Sequence, residues 1–227
     1  MKARVDYTVR FSTPYHIGSG TASHRAQREL QRERPASGAA EGYVIPGSTM
    51  KGKCRSACEL LADALELEVA YAPDAESLAG SENTIVSRIF GTPRHGEKSF
   101  WSNCYPDEDD ELIRPALVRT GVQLSRARAS VAQGHLYATE FGPPLTFHGR
   151  VSTYFDATPM DADRSEISYE LCLLVAGLRM VSSLGGSASQ GAGDCAVEVG
   201  AIDVNGHNVE VGDLLDKLEE LEYFDIL

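Results

Sequence analysis

Three basic side chains lie within two turns of a predicted helix start, where they could bind phosphate groups. Residues 43–55 read Tyr-Val-Ile-Pro-Gly-Ser-Thr-Met-Lys-Gly-Lys-Cys-Arg, the pattern of a short strand, a turn and a helix. We expect the hydroxyl pair Ser48 and Thr49 to cap the helix, whose first N–H groups attract anions. The cations that strengthen this attraction are Lys51, Lys53 and Arg55. The segment therefore predicts a site for a polyanion.

A second candidate site is the small-residue segment 185–193, Gly-Gly-Ser-Ala-Ser-Gln-Gly-Ala-Gly. It follows a predicted helix and precedes a predicted strand. It is therefore neither a P-loop nor a dinucleotide-binding turn, because both of those need a strand before the glycines and a helix after them. Small residues let a backbone approach a ligand closely and offer N–H groups to phosphates. Packing is the alternative interpretation, but together with the helix start the segment indicates phosphate binding.

The distribution of charge supports a nucleic-acid partner, although the net charge of the chain is −12. Residues 1–58 hold ten Lys and Arg against four Asp and Glu, and the remainder holds eleven against twenty-nine. Such asymmetry indicates a basic working face and an acidic remainder. The alternative is an acidic protein in which basic residues cluster by chance. RNA is the best candidate for the polyanion.

Composition favours a soluble cytoplasmic protein. The chain is 42% hydrophobic and 24% charged, as in globular proteins, and no apolar run approaches the length of a membrane span. The first residues, Met-Lys-Ala-Arg-Val-Asp, do not resemble a signal peptide. Five scattered cysteines fit a reducing compartment better than a disulfide framework.

Hydrophobic patterning predicts the elements that must position the two candidate sites. The predicted strands lie at 5–11, 146–155 and 195–204. The predicted helices run from about 48 to 67, over 86–90, from 167 to the Leu-Gly-Gly at 184–186, and over 211–223. This order indicates an α+β fold with an antiparallel sheet of the ferredoxin-like or RRM-like kind.

We expect a single domain over residues 1–227 with two additions to this core. Residues 71–115 are poor in periodicity and rich in turn formers, which indicates an insertion. Its acidic run at 107–111 is interpreted as a solvated loop. Residues 116–144 are polar and lie between two strand-like pieces, which predicts an extended β-hairpin or arm.

Five motifs in order resemble the RAMP superfamily of CRISPR-associated proteins. Residues 45–55 resemble its Pro-Gly-Ser-Ser-Leu-Lys-Gly-x-x-Arg signature, and residues 185–193 are similar to its C-terminal glycine-rich loop. His-Ile-Gly-Ser-Gly at 16–20 resembles the start of the loop after the first strand. Ser-Arg-Ile-Phe-Gly at 87–91 is similar to the Arg-x-Phe-Gly element, and residues 120–143 lie where the family has a thumb hairpin.

The resemblance implies a backbone subunit of a type III or related RNA-guided interference complex. Such subunits polymerise along a guide crRNA, contact neighbouring RAMP subunits and other effector subunits, and present the guide to a complementary target RNA. Phosphate contacts then fix position, while base pairing supplies sequence specificity. The residues that the resemblance assigns to RNA are His16, Gly18, Ser48, Thr49, Lys51, Lys53, Arg55, Arg119, Arg126, Arg128, Gly185, Gly186, Ser187, Ser189 and Gln190.

Departures from the family pattern predict binding without cleavage. Family members that cut target RNA use an aspartate in the loop after the first strand, whereas residues 12–50 contain no Asp. We therefore assign no catalytic residue. An endonuclease that uses Glu29, Glu33 or His24 instead is one alternative. A protein-interaction module that binds no nucleic acid is the other. Glutamine also stands at 190, where arginine is common in the family.

We expect no metal and no cofactor. Many family members carry a Cys-x-x-Cys zinc motif just before Arg-x-Phe-Gly, but here the matching positions are Thr84 and Ser87. Cys54 and Cys58 lie four residues apart on the apolar face of the first predicted helix, so we interpret them as core residues.

Overall fold

The computed structural model describes residues 1–22, 26–34, 42–72, 84–94, 96, 98–107, 115–125, 127, 130–154, 156–161, 164 and 166–226. The long strands are β1 (Lys2–Phe11), β6 (Leu117–Ser125), β7 (Ser130–Phe141), β8 (Thr146–Tyr154) and β9 (Cys195–Val204). The short strands are β2 (Arg32–Glu33), β3 (Gly42–Tyr43), β4 (Ser99–Trp101), β5 (Tyr105–Pro106) and β10 (His207–Val209). The α-helices are α1 (Gly47–Ala64), α2 (Ile85–Phe90), α3 (Tyr169–Met180) and α4 (Val211–Leu215). Two 3₁₀ helices span Ala188–Gln190 and Leu218–Ile226.

A six-stranded antiparallel sheet forms the centre of the fold. Its order is β10-β9-β1-β8-β4, and β5 also pairs with β8. With β9, β1, β8 and β4 counted as the fourth, first, third and second core strands, this is the strand order of a ferredoxin-like domain. The predicted α+β class with an antiparallel sheet is confirmed.

Alternation along β1 explains which face of the sheet is covered. Val5, Tyr7 and Val9 are buried under the helices, whereas Arg4 and Arg10 are exposed on the opposite face. A strand with side-chain period two must separate its residues in this way when only one face of the sheet is packed. The predicted strands at 5–11, 146–155 and 195–204 are confirmed within a few residues; residue 155 lies outside the described residues.

Helices α1 and α3 pack against each other over the covered face. The thiols of Cys54 and Cys58 donate to the carbonyl oxygens of Leu174 and Leu173, at 3.8 Å and 3.4 Å. A Cβ at Gly177 would lie 2.3 Å from the sulfur of Cys58, so this close approach requires glycine. The interpretation of both cysteines as core residues is confirmed, because both are fully buried.

Three predicted helix boundaries are wrong. Helix α1 begins at Gly47 with Pro46 as its N-cap, so Ser48 and Thr49 lie in the first turn and do not cap it. Helix α3 ends at Met180, because Val181 leaves helical geometry, and not at the glycines of 185–186. The predicted terminal helix over 211–223 is instead the short α4 followed by the 3₁₀ helix at 218–226.

The two predicted additions contribute differently to the fold. Within 71–115, α2 packs near α1, and the strands β4 and β5 pair with β8 in the central sheet. The hairpin β6–β7 lies within the predicted arm at 116–144 and forms a separate two-stranded sheet; we call this hairpin the thumb. Of the acidic run, only Asp107 is among the described residues. The single-domain boundary at 1–227 stays a prediction.

The Arg-x-Phe-Gly element fastens α2 to a buried carboxylate. The guanidinium of Arg88 lies 3.3 Å from Glu170 at the start of α3 and donates to Thr158 and to the carbonyl oxygen of Asp156. Glu170 is fully buried and also accepts from the Thr158 N–H at 3.0 Å. Burial raises the pKa of the Glu170 carboxyl above its ordinary value of 4.5, against the opposing effects of the Thr158 hydrogen bonds and the Arg88 charge.

This raised pKa predicts a pH-dependent stability. The folded state binds the Glu170 proton more tightly than the unfolded state, so this contribution to stability is largest below pH 4.5. It is lost as the pH rises through the raised pKa. We expect Glu170→Gln, which keeps the shape, to remove this fall. The measurement is the free energy of unfolding in urea between about pH 4 and 7. Parallel curves for the two proteins would contradict the assignment.

Candidate RNA interface

The start of α1 is held by backbone contacts and by one asparagine. A Cβ at Gly47 would lie 2.4 Å from the carbonyl oxygen of Trp101, so the helix can begin against β4 only with glycine there. The Gly47 N–H donates to Oδ1 of Asn103 at 3.0 Å, and the N–H groups of Thr49 and Met50 donate to the Pro46 carbonyl oxygen. Asn103 therefore accepts a hydrogen bond from the helix start, the role that the sequence analysis predicted for Ser48 and Thr49.

Lys53 lies close enough to Cys195, two residues after the glycine-rich segment, to affect the pKa of its thiol. It is exposed on α1, and within the described part of the chain its ammonium forms no ion pair. Burial raises the pKa of the Cys195 thiol to about 11; Asp194 raises it further, and the positive charge of Lys53 lowers it. That electrostatic interaction places Lys53 near the end of the glycine-rich loop. Ser48 is also exposed, and Thr49 and Lys51 are half-buried.

The glycine-rich loop, residues 185–193, packs on the segment that follows β1. Gly185 has a φ of +89°, and a Cβ there would lie 2.3 Å from the His16 carbonyl oxygen. That oxygen accepts from the Gly186 N–H at 2.8 Å, and the Gly193 N–H donates to the Pro14 carbonyl oxygen at 2.9 Å. Two segments far apart in the sequence are thus joined by two backbone hydrogen bonds.

Many N–H groups of the loop are used within the fold. Hydrogen bonds to carbonyl oxygens engage the N–H groups of Gly186, Gln190, Gly191, Ala192 and Gly193. These five N–H groups cannot donate to a phosphate unless the loop changes conformation. The predicted donation of loop N–H groups to phosphates therefore does not extend to them. The side chains of Ser189 and Gln190 are exposed and that of Ser187 is half-buried, so these side chains are open to a ligand.

His16 is a buried residue between the loop and the thumb. It is 8% exposed, and its Nδ1 lies 2.7 Å from the carbonyl oxygen of Glu140 in β7. Gly18 is exposed, and it forms a bridge with Leu30. The His16 imidazole therefore packs inside the protein and contacts the thumb, whereas Gly18 is open to a ligand.

Arg55 lies at a helix contact. Its Nε is 2.9 Å from Glu59, its Nη1 donates to the Gly91 carbonyl oxygen at 3.3 Å, and its guanidinium lies over the ring of Phe90. The Arg55 side chain is 14% exposed. In this structure the guanidinium joins α1 to α2, and its contact with RNA stays a prediction.

The predicted thumb contacts are described only in part. Arg119 is exposed near the base of the thumb, and its guanidinium lies 5.0 Å from the ring centre of Phe141. Arg126 and Arg128 lie outside the described residues. Arg28 lies over the ring of Tyr137, which adds a second cation to the thumb base.

The open face of the central sheet has a balanced charge. Arg10 pairs with Glu198, Arg150 with Asp6, and His148 with Asp107. A groove of about 510 Å³ on this face is lined by Asp6, Thr8, Tyr105, His148 and Arg150, among others. Because carboxylates pair with the cations Arg10 and Arg150, this face offers less attraction to a polyanion than the region around Lys53.

The sequence analysis assigned no role to Asn103 or Glu140, and it named Glu33 only as an alternative catalytic residue. Asn103 donates to Glu33 at 2.7 Å while it accepts from the helix start, so the two residues join the segments before and after α1. Neither residue belongs to a spaced motif, and their roles depend on contacts across many residues. No signal in a single sequence could have identified them.

The described residues contain neither a cluster of metal ligands nor a membrane-spanning helix. No group of three or more His, Cys, Asp or Glu side chains is arranged there to hold a metal ion. No helix in the same part of the chain is both long and apolar enough to cross a membrane.

The fold and the two candidate sites are consistent with one known protein family. The family model of the RAMP superfamily matches residues 8–195, which is most of the chain, and the chain belongs to that superfamily. No curated protein matches the chain. Membership carries a CRISPR-associated, RNA-binding function and association with RNA and CRISPR effector complexes.

Proposed function

We propose that the chain is a crRNA-binding backbone subunit of a type III or related CRISPR interference complex. It grips guide phosphates at the edge formed by the start of α1, residues 16–18 and the glycine-rich loop. Several copies polymerise along one guide and present it for pairing with target RNA. The subunit does not cut that target.

The observation that supports this proposal most is the meeting of separate motifs at one edge of the sheet. The Gly186 N–H donates a hydrogen bond to the His16 carbonyl oxygen, and Lys53 lies near Cys195, two residues after the glycine-rich loop. The start of α1 and the glycine-rich loop expose polar and basic groups, from Ser48, Lys53 and Ser189, that suit a phosphate backbone. The thumb stands beside this edge because His16 also contacts Glu140.

The proposal that the subunit does not cut rests on the carboxylates near this edge. Residues 12–50 contain no Asp. The Glu33 carboxylate accepts from the Asn103 amide at 2.7 Å and the Tyr105 hydroxyl at 3.0 Å, and Glu29 accepts from Thr21 at 3.4 Å. Both glutamate carboxylates accept hydrogen bonds from side chains of the same chain, which leaves them poorly suited to activate a nucleophile. His24 lies outside the described residues.

Native mass spectrometry with RNAs of increasing length tests the proposal. We expect the number of bound copies to rise in equal steps, with about twice as many on an RNA of twice the length, because each copy covers a fixed number of nucleotides. RNA bound to a single copy at every length would contradict polymerisation, and absence of binding would favour the protein-interaction alternative.

A complementary target RNA added to the assembled particle tests cleavage, and we expect it to stay intact. Cleavage that Glu29→Ala or Glu33→Ala abolishes would favour the endonuclease alternative.

A further inference from the structure

The thumb is joined to the rest of the protein at its base, where Ala138, Thr139, Glu140 and Gly142 contact the segment between residues 15 and 32. The strands β6 and β7 form a two-stranded sheet with each other, and outside it Thr139 of β7 bridges Arg28. A two-stranded hairpin is marginally stable on its own. The direction in which the thumb points must therefore be set at its base. Glu140 lies there, near the end of β7, with a side chain that is 15% exposed.

All four polar atoms of Glu140 contact the segment between residues 16 and 32. Its Oε2 accepts from Nη1 of Arg32 at 3.0 Å and from the Leu30 N–H at 3.1 Å, and its Oε1 pairs with Nη2 of Arg32. Its N–H donates to the Arg28 carbonyl oxygen at 2.9 Å, and its own carbonyl oxygen lies 2.7 Å from Nδ1 of His16. A two-pronged, charge-assisted pair of this kind fixes orientation as well as distance.

The same segment carries the glycine-rich loop. The His16 carbonyl oxygen accepts from Gly186, and Gly185 lies against it without room for a side chain. A continuous path therefore runs from the loop through His16 to Glu140 and Arg32. Any change in how Glu140 sits must shift either the thumb or the backbone on which the loop rests.

We propose that Glu140 is a positioning residue that fixes the thumb to the loop-bearing segment and so couples the two RNA-contacting parts of the subunit. The coupling rests on the proposed RNA-binding function, but the anchoring of the thumb does not. Glu140 touches no RNA in this scheme. Its carboxylate pairs with Arg32 and thereby holds the thumb in the orientation in which the thumb reaches the guide.

Hydrogen exchange and RNA binding of the full chain test the two halves separately. In Glu140→Gln without RNA, we expect amides at 117–122 and 136–141 to exchange about tenfold faster, the scale of a lost charge-assisted contact, while β1 and β9 are unchanged. The affinity for a single-stranded RNA should fall by about fivefold or more. The dependence of that affinity on salt should stay the same, because no phosphate contact is removed.

Glu198→Gln is the matched control, because Glu198 also pairs with an arginine but lies exposed on the open face. It should change neither readout. Arg32→Gln removes the other partner of the Glu140 pair and should reproduce the Glu140→Gln result if that variant folds poorly. Unchanged exchange at the thumb base in both variants would overturn the anchoring, and faster exchange with unaltered RNA affinity would overturn the coupling. Failure of the unaltered protein to bind RNA would refute the proposed function and with it the coupling, while the exchange comparison would still decide the anchoring.

Discussion

Reversing the charges of Lys51 and Lys53 together should weaken RNA binding by about 100-fold. A hydrogen bond to a charged group is worth about 1.5 kcal/mol or more, and about 1.4 kcal/mol corresponds to a factor of ten. Two lost contacts therefore give about two factors of ten. The measurement is the affinity of Lys51→Glu/Lys53→Glu for single-stranded RNA at fixed salt. Arg55 is left unchanged, because its pair with Glu59 makes any substitution there a test of stability as well.

The salt dependence identifies the mechanism of this loss. Each phosphate contact with a single strand contributes about 0.7 to the slope of log affinity against log salt, so the double variant should lose about 1.4. The matched control is Lys2→Glu/Arg4→Glu, which reverses two exposed charges at the opposite end of β1. If the control lost as much affinity as the test pair, the effect would be one of net charge, and the assignment to the helix start would be wrong.

Gly185→Ala should cost about 2–5 kcal/mol of folding free energy and abolish RNA binding at the loop. The residue has a φ of +89°, where a side chain is strained by about 1–2 kcal/mol. The new Cβ would also lie 2.3 Å from the His16 carbonyl oxygen, and relief of such overpacking adds about 1–3 kcal/mol. Urea unfolding measures the first effect, and RNA affinity measures the second.

Gly191→Ala separates the two causes of that loss. Gly191 has a φ of +77°, similar to that of Gly185, but no atom lies within 4 Å of a Cβ built there. It should therefore cost only the strain of about 1–2 kcal/mol. Equal destabilisation by the two variants would show that the contact with His16 contributes nothing. A larger loss for Gly185→Ala alone would support the close packing of loop and segment as the basis of the site.

The main elements of the fold were predictable because their signals are local. The side-chain alternation of β1 and the helical spacing of Cys54 and Cys58 each report burial within one element. Helix ends were less predictable. Val181 ends α3 because residues 183–194 form their own contacts, including the hydrogen bond between Leu184 and Gly193, and no feature within the helix signals them.

The candidate site was predictable as a set of motifs and not as a set of roles. The glycine-rich loop and the helix start were both found, yet Arg55, which the spacing places beside Lys51 and Lys53, pairs with Glu59. His16, assigned to RNA by resemblance, is buried between the loop and the thumb. Spacing along a helix fixes which side a residue faces, but the neighbours on that side come from other elements.

The sequence by itself determined the superfamily, the α+β class and the segments that carry positive charge and small residues. Those properties depend on residue type and order, which can be read within each segment without knowledge of its tertiary contacts. Only the tertiary structure decided that Asn103 holds the start of α1 and that Gly185 packs on His16. It also decided that Glu140 joins the thumb to Arg32. Each of these is a contact between residues 56 to 169 positions apart, and such contacts depend on how the whole sheet brings the segments together.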